Sequence, residues 1–339
     1  MSPQIQKIMA FEKEIKEYED LRGKYQTLII NKMDREEYIK YYEVLFSTHS
    51  CAIEGNSFSV DDTRELKEKG LGMIPAGKTL FEAFEMLDHF EAFEYMMQNT
   101  QHPLNENFLK EINRRVTSHT LSYRSPEAIP GEYTTTDMAA GDTVFGDHEE
   151  LIARVPKLLE STEKAIFSAA VHPMILAARF HGFYEYLHPF RDGNGRTGRL
   201  VSNYILLRLN HPLLIIPYEA RQEYISALRM IRTEATDEHL IRFFFKMAIQ
   251  RMEEELKQKE ANTKRSLLSC FLPIIFCAII FAFILLQIYK KYRFEQNKRT
   301  LFCSKWGKKY HFEQNKEWLF CAKYIKRPVS SKIAIHKKG

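Results

Sequence analysis

The chain has 339 residues, 45% hydrophobic and 27% charged, which suits one globular domain of about 250 residues with something added. Its formal charge of +5 is unevenly spread: residues 288–339 carry fifteen Lys or Arg against three acids, a net of +12, which leaves residues 1–287 at −7. A mildly acidic main body argues against general nucleic-acid binding, and five cysteines (Cys51, Cys270, Cys277, Cys303, Cys321) without a Cys-x-x-Cys pair argue against a zinc site or a disulfide framework.

Periodicity then places the elements. No apolar core follows a basic start, so no signal peptide is visible. Ile8, Phe11, Ile15, Tyr18, Leu21, Tyr25 and Leu28 recur at three- and four-residue spacing and predict an amphipathic helix over 3–28. Asp34-x-x-Glu37 is a capping-box variant that starts a second helix, to about Ile53, with Tyr38, Tyr42, Leu45 and Phe46 on one side. Ser59-x-x-Asp62 caps a short helix that stops at Gly70. Residues 79–98 read as a helix whose Phe81, Phe84, Leu87, Phe90 and Phe93 stripe is core packing. Asn105 starts another helix, to about His119, and His89 and His119 read as structural histidines because no spacing suggests a metal.

Helical periodicity lapses between Ser125 and Asp147, where Pro126, Pro130, Gly131, Gly141 and Gly146 punctuate the chain. Residues 133–138 and 143–145 read as a weak two-stranded hairpin, with a plain surface loop as the alternative. Helices follow over 149–167 and from His172-Pro173 onward, the second carrying His181 as a core residue. Leu200, Tyr204, Leu206 and Leu207 form an apolar face, residues 213–217 are extended, and residues 218–232 are helical. A last helix runs from Thr236 to about Glu260, apolar first and strongly charged from Arg251.

Between two of these helices lies His188-Pro-Phe-Arg-Asp-Gly-Asn-Gly-Arg-Thr-Gly-Arg199. It reads as a loop opening onto a helix N-terminus, where the amides of Gly193, Asn194 and Gly195 would face a phosphate. Glycine lets backbone approach an anion closely. Arg196 and Arg199 could clamp further phosphate oxygens, Asp192 could hold magnesium shared with the phosphates, and His188 is the nearby group that exchanges a proton near neutral pH.

This stretch resembles the signature of Fic proteins, His-Pro-Phe-x-Asp/Glu-Gly-Asn-Gly-Arg-x-x-Arg, at every specified position. The resemblance runs from about Glu36 to Phe245 and implies transfer of AMP from ATP to a Ser, Thr or Tyr hydroxyl of a target protein, with His188 as base. Ser50-Cys-Ala-Ile-Glu54-Gly55 matches the family's inhibitory Ser/Thr-x-x-x-Glu-Gly/Asn motif. Glu54 would then pair with Arg199, the arginine expected to grip the γ-phosphate; an ordinary helix end capped by Gly55 is the other reading. The family implies that residues 133–145 form a flap, with Thr135, Thr136, Asp137 and Met138 docking the target segment by main-chain pairing. It also implies adenine near residues 218–232, with Tyr224 as contact. Gly195, where phosphate-transferring relatives carry lysine, favours AMP.

An apolar run, residues 267–288, opens on Leu267 and closes on Ile288; as a helix it spans ~33 Å and predicts a membrane crossing near the C-terminus. The basic tail beyond it, residues 289–339, repeats Tyr292-x-Phe-Glu-Gln-Asn-Lys-x-x-Leu-Phe-Cys303 as Tyr310 to Cys321, and it suits anionic lipid headgroups or no evolved fold at all. The expectation is therefore an all-α chain. Residues 1–35 hold an N-terminal helix, 36–260 a Fic-type helical bundle with inhibitory helix 36–55 and a β-hairpin flap, and a single transmembrane helix follows. The catalytic domain is expected on the cytoplasmic side, with ATP as substrate, Mg2+ as cofactor, no nucleic-acid partner, and homodimer formation left open. Removal of AMP, another donor nucleotide, or an inactive ATP-binding membrane adaptor are the alternatives.

Overall fold

Side-chain caps fix where several helices start. In the computed structural model, which describes residues 10–72, 74–140 and 143–306, helix α1 (Glu12–Leu28) is followed by α2 (Arg35–Ile53), whose cap Asp34 accepts from the amides of Glu36 and Glu37. Reciprocal capping boxes, Ser59 with Asp62 and Thr79 with Glu82, open α3 (Val60–Lys69) and α4 (Leu80–Gln98). Asn105 caps α5 (Glu106–Val116), and a single turn, α6 (Leu121–Arg124), follows. Then come α7 (Leu151–Ser168), α8 (Pro173–Leu187), α9 (Asn194–Arg208), α10 (Arg221–Thr233) and α11 (Glu238–Trp306). The part of the first predicted helix before residue 10 lies outside the described residues.

Within residues 1–262, a compact unit, α9 is the central element: twelve of its fifteen residues are buried, so it packs on all sides rather than along one stripe. Gly198 makes that possible, because a Cβ there would lie 2.9 Å from the His181 ring and the Tyr184 ring of α8. The α1 helix is tied down by buried polar contacts as well as by apolar area. Tyr18 Oη meets His211 Nδ1 at 2.9 Å. Tyr25 and Tyr42 both donate to Glu255, and Arg251 lies over both rings. The phenylalanine stripe of α4 is core only in part: Phe90 and Phe93 are buried, whereas Phe81 and Phe84 are half-buried and Phe84 stacks on His119.

Two expectations are overturned. The hairpin flap over residues 133–145 does not form: the only ladder among the described residues is two pairs long, β1 (Ala139–Ala140) against β2 (Thr143–Val144). Residues 133–138 spend their polar groups elsewhere. Tyr133 bridges Phe190, the Thr134 amide donates to Pro189 O at 2.8 Å, and Thr134 Oγ1 closes a turn onto Thr136 O. The membrane helix fails too. Among the described residues no helix is long and apolar enough to cross a membrane. Lys290, Lys291 and Arg293 end the apolar run in α11. The single-pass localisation and the membrane-adaptor alternative lose their support with it. The second copy of the tail repeat lies outside the described residues.

Candidate active site

The site is built where α8 ends and α9 begins. Helix α8 stops at Leu187 because His188 turns left-handed (φ 49°) while its amide still donates to Tyr184 O at 2.9 Å. A non-glycine residue in that region is strained, a condition common at functional positions. The loop that follows is cross-braced by Asn194, whose side chain accepts from the Phe190 amide at 3.0 Å and donates to Phe190 O at 2.6 Å. Gly193 (φ 74°) then starts α9. Its own amide donates to Asp192 Oδ1 at 2.7 Å. The amides of Asn194 and Gly195 belong to the first turn of α9, which has no intrahelical acceptor. Asn113, from α5, holds the loop from behind: its Nδ2 donates to Asp192 O at 2.9 Å and its Oδ1 accepts from the Gly131 amide at 3.2 Å.

Arg199 is brought to Ser50, Glu54 and Tyr224. Its Nη2 meets Glu54 Oε1 at 2.8 Å and Ser50 O at 2.7 Å, its Nε meets Ser50 Oγ at 3.1 Å, and Nη1 reaches Tyr224 Oη at 3.5 Å. Burial works against the charge on Arg199, but Glu54 and Tyr224 together outweigh it, and the guanidinium is held above its ordinary range. Gly55 (φ 108°) ends α2 just after Glu54.

The other predicted phosphate ligands sit differently. Arg196 is 1% exposed and is committed to Glu85 of α4, with Nη1 2.8 Å from Oε1. Glu85 also accepts from Asn56 Nδ2 at 2.9 Å, so this carboxylate links the end of the α2 segment to the signature loop. Asp192 is flanked by Arg124 at 3.2 Å and Arg196 at 3.5 Å. Its one carboxylate fits a magnesium ion only if the ion brings phosphate oxygens with it and the part-exposed Arg124 moves off. Tyr224 is buried, with its hydroxyl 2.6 Å from His181 Nε2. His181 is a core residue, its pKa pushed down to about 4 by burial. Thr135, Thr136 and Asp137 are exposed; Asp137 takes His148 Nδ1 at 2.8 Å, and the Met138 sulfur accepts from Arg191 Nη1 at 3.4 Å.

These groups surround a cavity of about 280 Å³ with two kinds of wall. Gly195, Arg199, His188, Glu54 and Glu185 form a polar end, and Ile225, Leu228 and Ile231 an apolar one. That division suits a ligand with an anionic part and a flat apolar part. Arg196, Asp192 and Asn194 do not line it. Three lining residues escape sequence reasoning. Phe145 stacks on the His188 ring with centroids 3.7 Å apart, and Arg232 lies over Phe145 at 4.8 Å while donating to Glu185 O and Tyr186 O at 2.8 Å each. Glu185 Oε2 is 3.4 Å from His188 Nδ1; the i, i+3 spacing is the only signal the sequence carries for that pair.

Residues 103–206 match the Fic/DOC family. The chain is 33% identical over 195 residues to a protein adenylyltransferase Fic of Nematostella vectensis, covering 56% of this chain and 42% of that one. It is 29% identical over 226 residues to protein adenylyltransferase fic-1 of Caenorhabditis briggsae, covering 64% and 42%. The chain thus spans about two fifths of the length of the curated relatives it matches. Among solved structures it is similar to Fic-1 from C. elegans (TM-score 0.61, 25% identity, 77% of this chain and 75% of that one). In fold it is similar to a Fic domain containing signaling protein from Bacteroides thetaiotaomicron VPI-5482 (TM-score 0.63, 23% identity, 72% and 97%).

Proposed function

Proceeding from a chain that carries a Fic/DOC domain at residues 103–206, we propose that it is a protein adenylyltransferase, moving AMP from ATP to a Ser, Thr or Tyr hydroxyl of a target protein under restraint by Glu54. The observation that carries this reading is the 2.8 Å pair of Glu54 with Arg199 in the cavity that His188 and Gly195 also line. The triphosphate sits on the first-turn amides of α9 with its terminal phosphate on Arg199, and the base lies toward Ile225, Leu228 and Ile231. His188 takes the hydroxyl proton as the oxygen attacks the α-phosphorus, and pyrophosphate leaves. Arg196 acts from behind, fixing the loop through Glu85. Magnesium held by Asp192 would neutralise phosphate charge. At Gly195 a Cβ would lie 2.3 Å from Glu54 Oε1, so a larger residue there would have to push the Glu54 carboxylate aside. The exposed segment at Thr135 and Thr136 is where a target chain would lie.

A second reading has its own support. Glu54 faces the same cavity as His188, so it can orient a water and remove AMP from a modified target. The test uses the full chain with Mg2+ and ATP labelled at the α-phosphate, as wild type, Glu54→Gly and Glu54→Gly/His188→Ala, with host lysate as the source of targets. Label on protein with Glu54→Gly, weaker in wild type and absent in the double variant, supports transfer. No label in any lane, with AMP released from a modified substrate by wild type alone, supports removal.

A further inference from the structure

We infer that Glu185 is the positioning residue for His188: its carboxylate accepts the imidazole Nδ1–H, which leaves Nε2 free to take a proton and sets charge against the imidazolium that forms. The inference rests on the proposed reading only for the source of that proton.

Three observations converge on it. First, His188 Nδ1 and Glu185 Oε1 are both buried without a hydrogen-bond partner, while Glu185 Oε2 stands 3.4 Å from Nδ1. Buried polar atoms rarely stay unpaired, and Oε2 is within reach of Nδ1, needing a slightly shorter and straighter approach to accept its proton. Second, the carbonyls at this helix end are taken. Tyr184 O accepts the His188 amide at 2.9 Å, and Glu185 O and Tyr186 O accept Arg232. Gly146 donates to Tyr186 O as well, at 3.2 Å. Nδ1 itself has no hydrogen-bond partner on the backbone of that turn. Third, the ring is packed on one face. Phe145 lies flat on it, 14° from parallel, with Arg232 over Phe145.

The surroundings keep Glu185 ionised. Burial pushes its carboxyl up, but His188 and His181 on its own helix and Arg199 on α9 outweigh this, and the group lies below the usual carboxylate range. Arg232 and Tyr224 face it from α10, and Glu54 from α2 is already paired with Arg199. In the step itself the substrate O–H bond breaks and an N–H bond forms at Nε2. The Nδ1 proton stays on the ring, and Glu185 takes none.

The test reads the tautomer directly. In the full chain labelled with 15N-histidine, and with the signal assigned by its loss in His188→Ala, wild type should show His188 protonated at Nδ1. Glu185→Gln should give a mixture of tautomers and, in a Glu54→Gly background, should slow label transfer on the order of tenfold. A wild-type ring protonated at Nε2 overturns the inference even if the Gln variant fails to fold. So does a Gln variant that keeps both the Nδ1–H tautomer and the parent rate. If no variant transfers label, the adenylyltransferase reading has failed, and the tautomer measurement still decides the pair.

Discussion

Replacing Glu54 removes one contact of Arg199 and leaves the contacts that build the site. Glu54 gives Arg199 one charge-assisted hydrogen bond at 2.8 Å, and it is about a third exposed at the cavity wall, whereas Arg199 is 3% exposed. A hydrogen bond to a charged group contributes about 1.5–3 kcal/mol, and water at the exposed side trims this to ~1.5–2 kcal/mol. If ATP must displace Glu54 before its terminal phosphate reaches Arg199, that energy is the size of the restraint. Each ~1.4 kcal/mol is tenfold, so Glu54→Gly should raise the initial rate of label transfer roughly ten- to thirtyfold. The same loss should lower the thermal midpoint by a few degrees, so activity and stability move in opposite directions. Glu54→Gln keeps the shape and a neutral hydrogen bond, and its rate should fall between the two. A Gln variant at the wild-type rate beside an activated Gly variant would mean that bulk, not charge, restrains the site, and the ion-pair reasoning would be wrong.

Gly198→Ala should destabilise by about 1–3 kcal/mol, because its Cβ would press on the rings of His181 and Tyr184; a denaturant midpoint unchanged from wild type refutes the close α8–α9 approach. Asn113→Ala strands the Gly131 amide and frees Asp192 O. It should cost ~1–3 kcal/mol and weaken nucleotide-dependent thermal stabilisation, read by melting with and without ATP. Burial holds His181 down at about 4, against ~6.5 when unfolded. As pH falls from ~6.5 toward ~4 the unfolded chain binds this proton and the folded chain does not. Stability should drop by roughly 3 kcal/mol from this group over that window and level off below it. Urea unfolding at pH 7 and 4.5 checks this, and His181→Gln should flatten the slope.

Local chemistry made much of this legible. Caps at Asp34, Ser59 and Asn105 announce helix starts in the three residues that follow them, and the structure uses all three. The loop from His188 to Arg199 was readable because its bends and donors come from its own residues. Contacts between distant segments were not. Nothing near Arg196 in sequence marks Glu85, 111 positions earlier, as the group that takes its guanidinium. The segment after Gly131 looked like a strand in search of a partner, yet its first acceptor is Pro189 O in the signature loop, a pairing with no periodic signal.

Ser50 deserves a last consequence. It grips Arg199 twice, through its hydroxyl and its carbonyl, and neither contact involves Glu54. When Glu54 leaves, the arginine is not released into its many rotamers. An unrestrained arginine side chain loses up to ~2 kcal/mol of conformational freedom when it is immobilised. Here that ordering is complete before any nucleotide arrives, so an incoming phosphate meets a guanidinium already aimed. The helix that carries Glu54 therefore also holds in place the guanidinium that Glu54 covers.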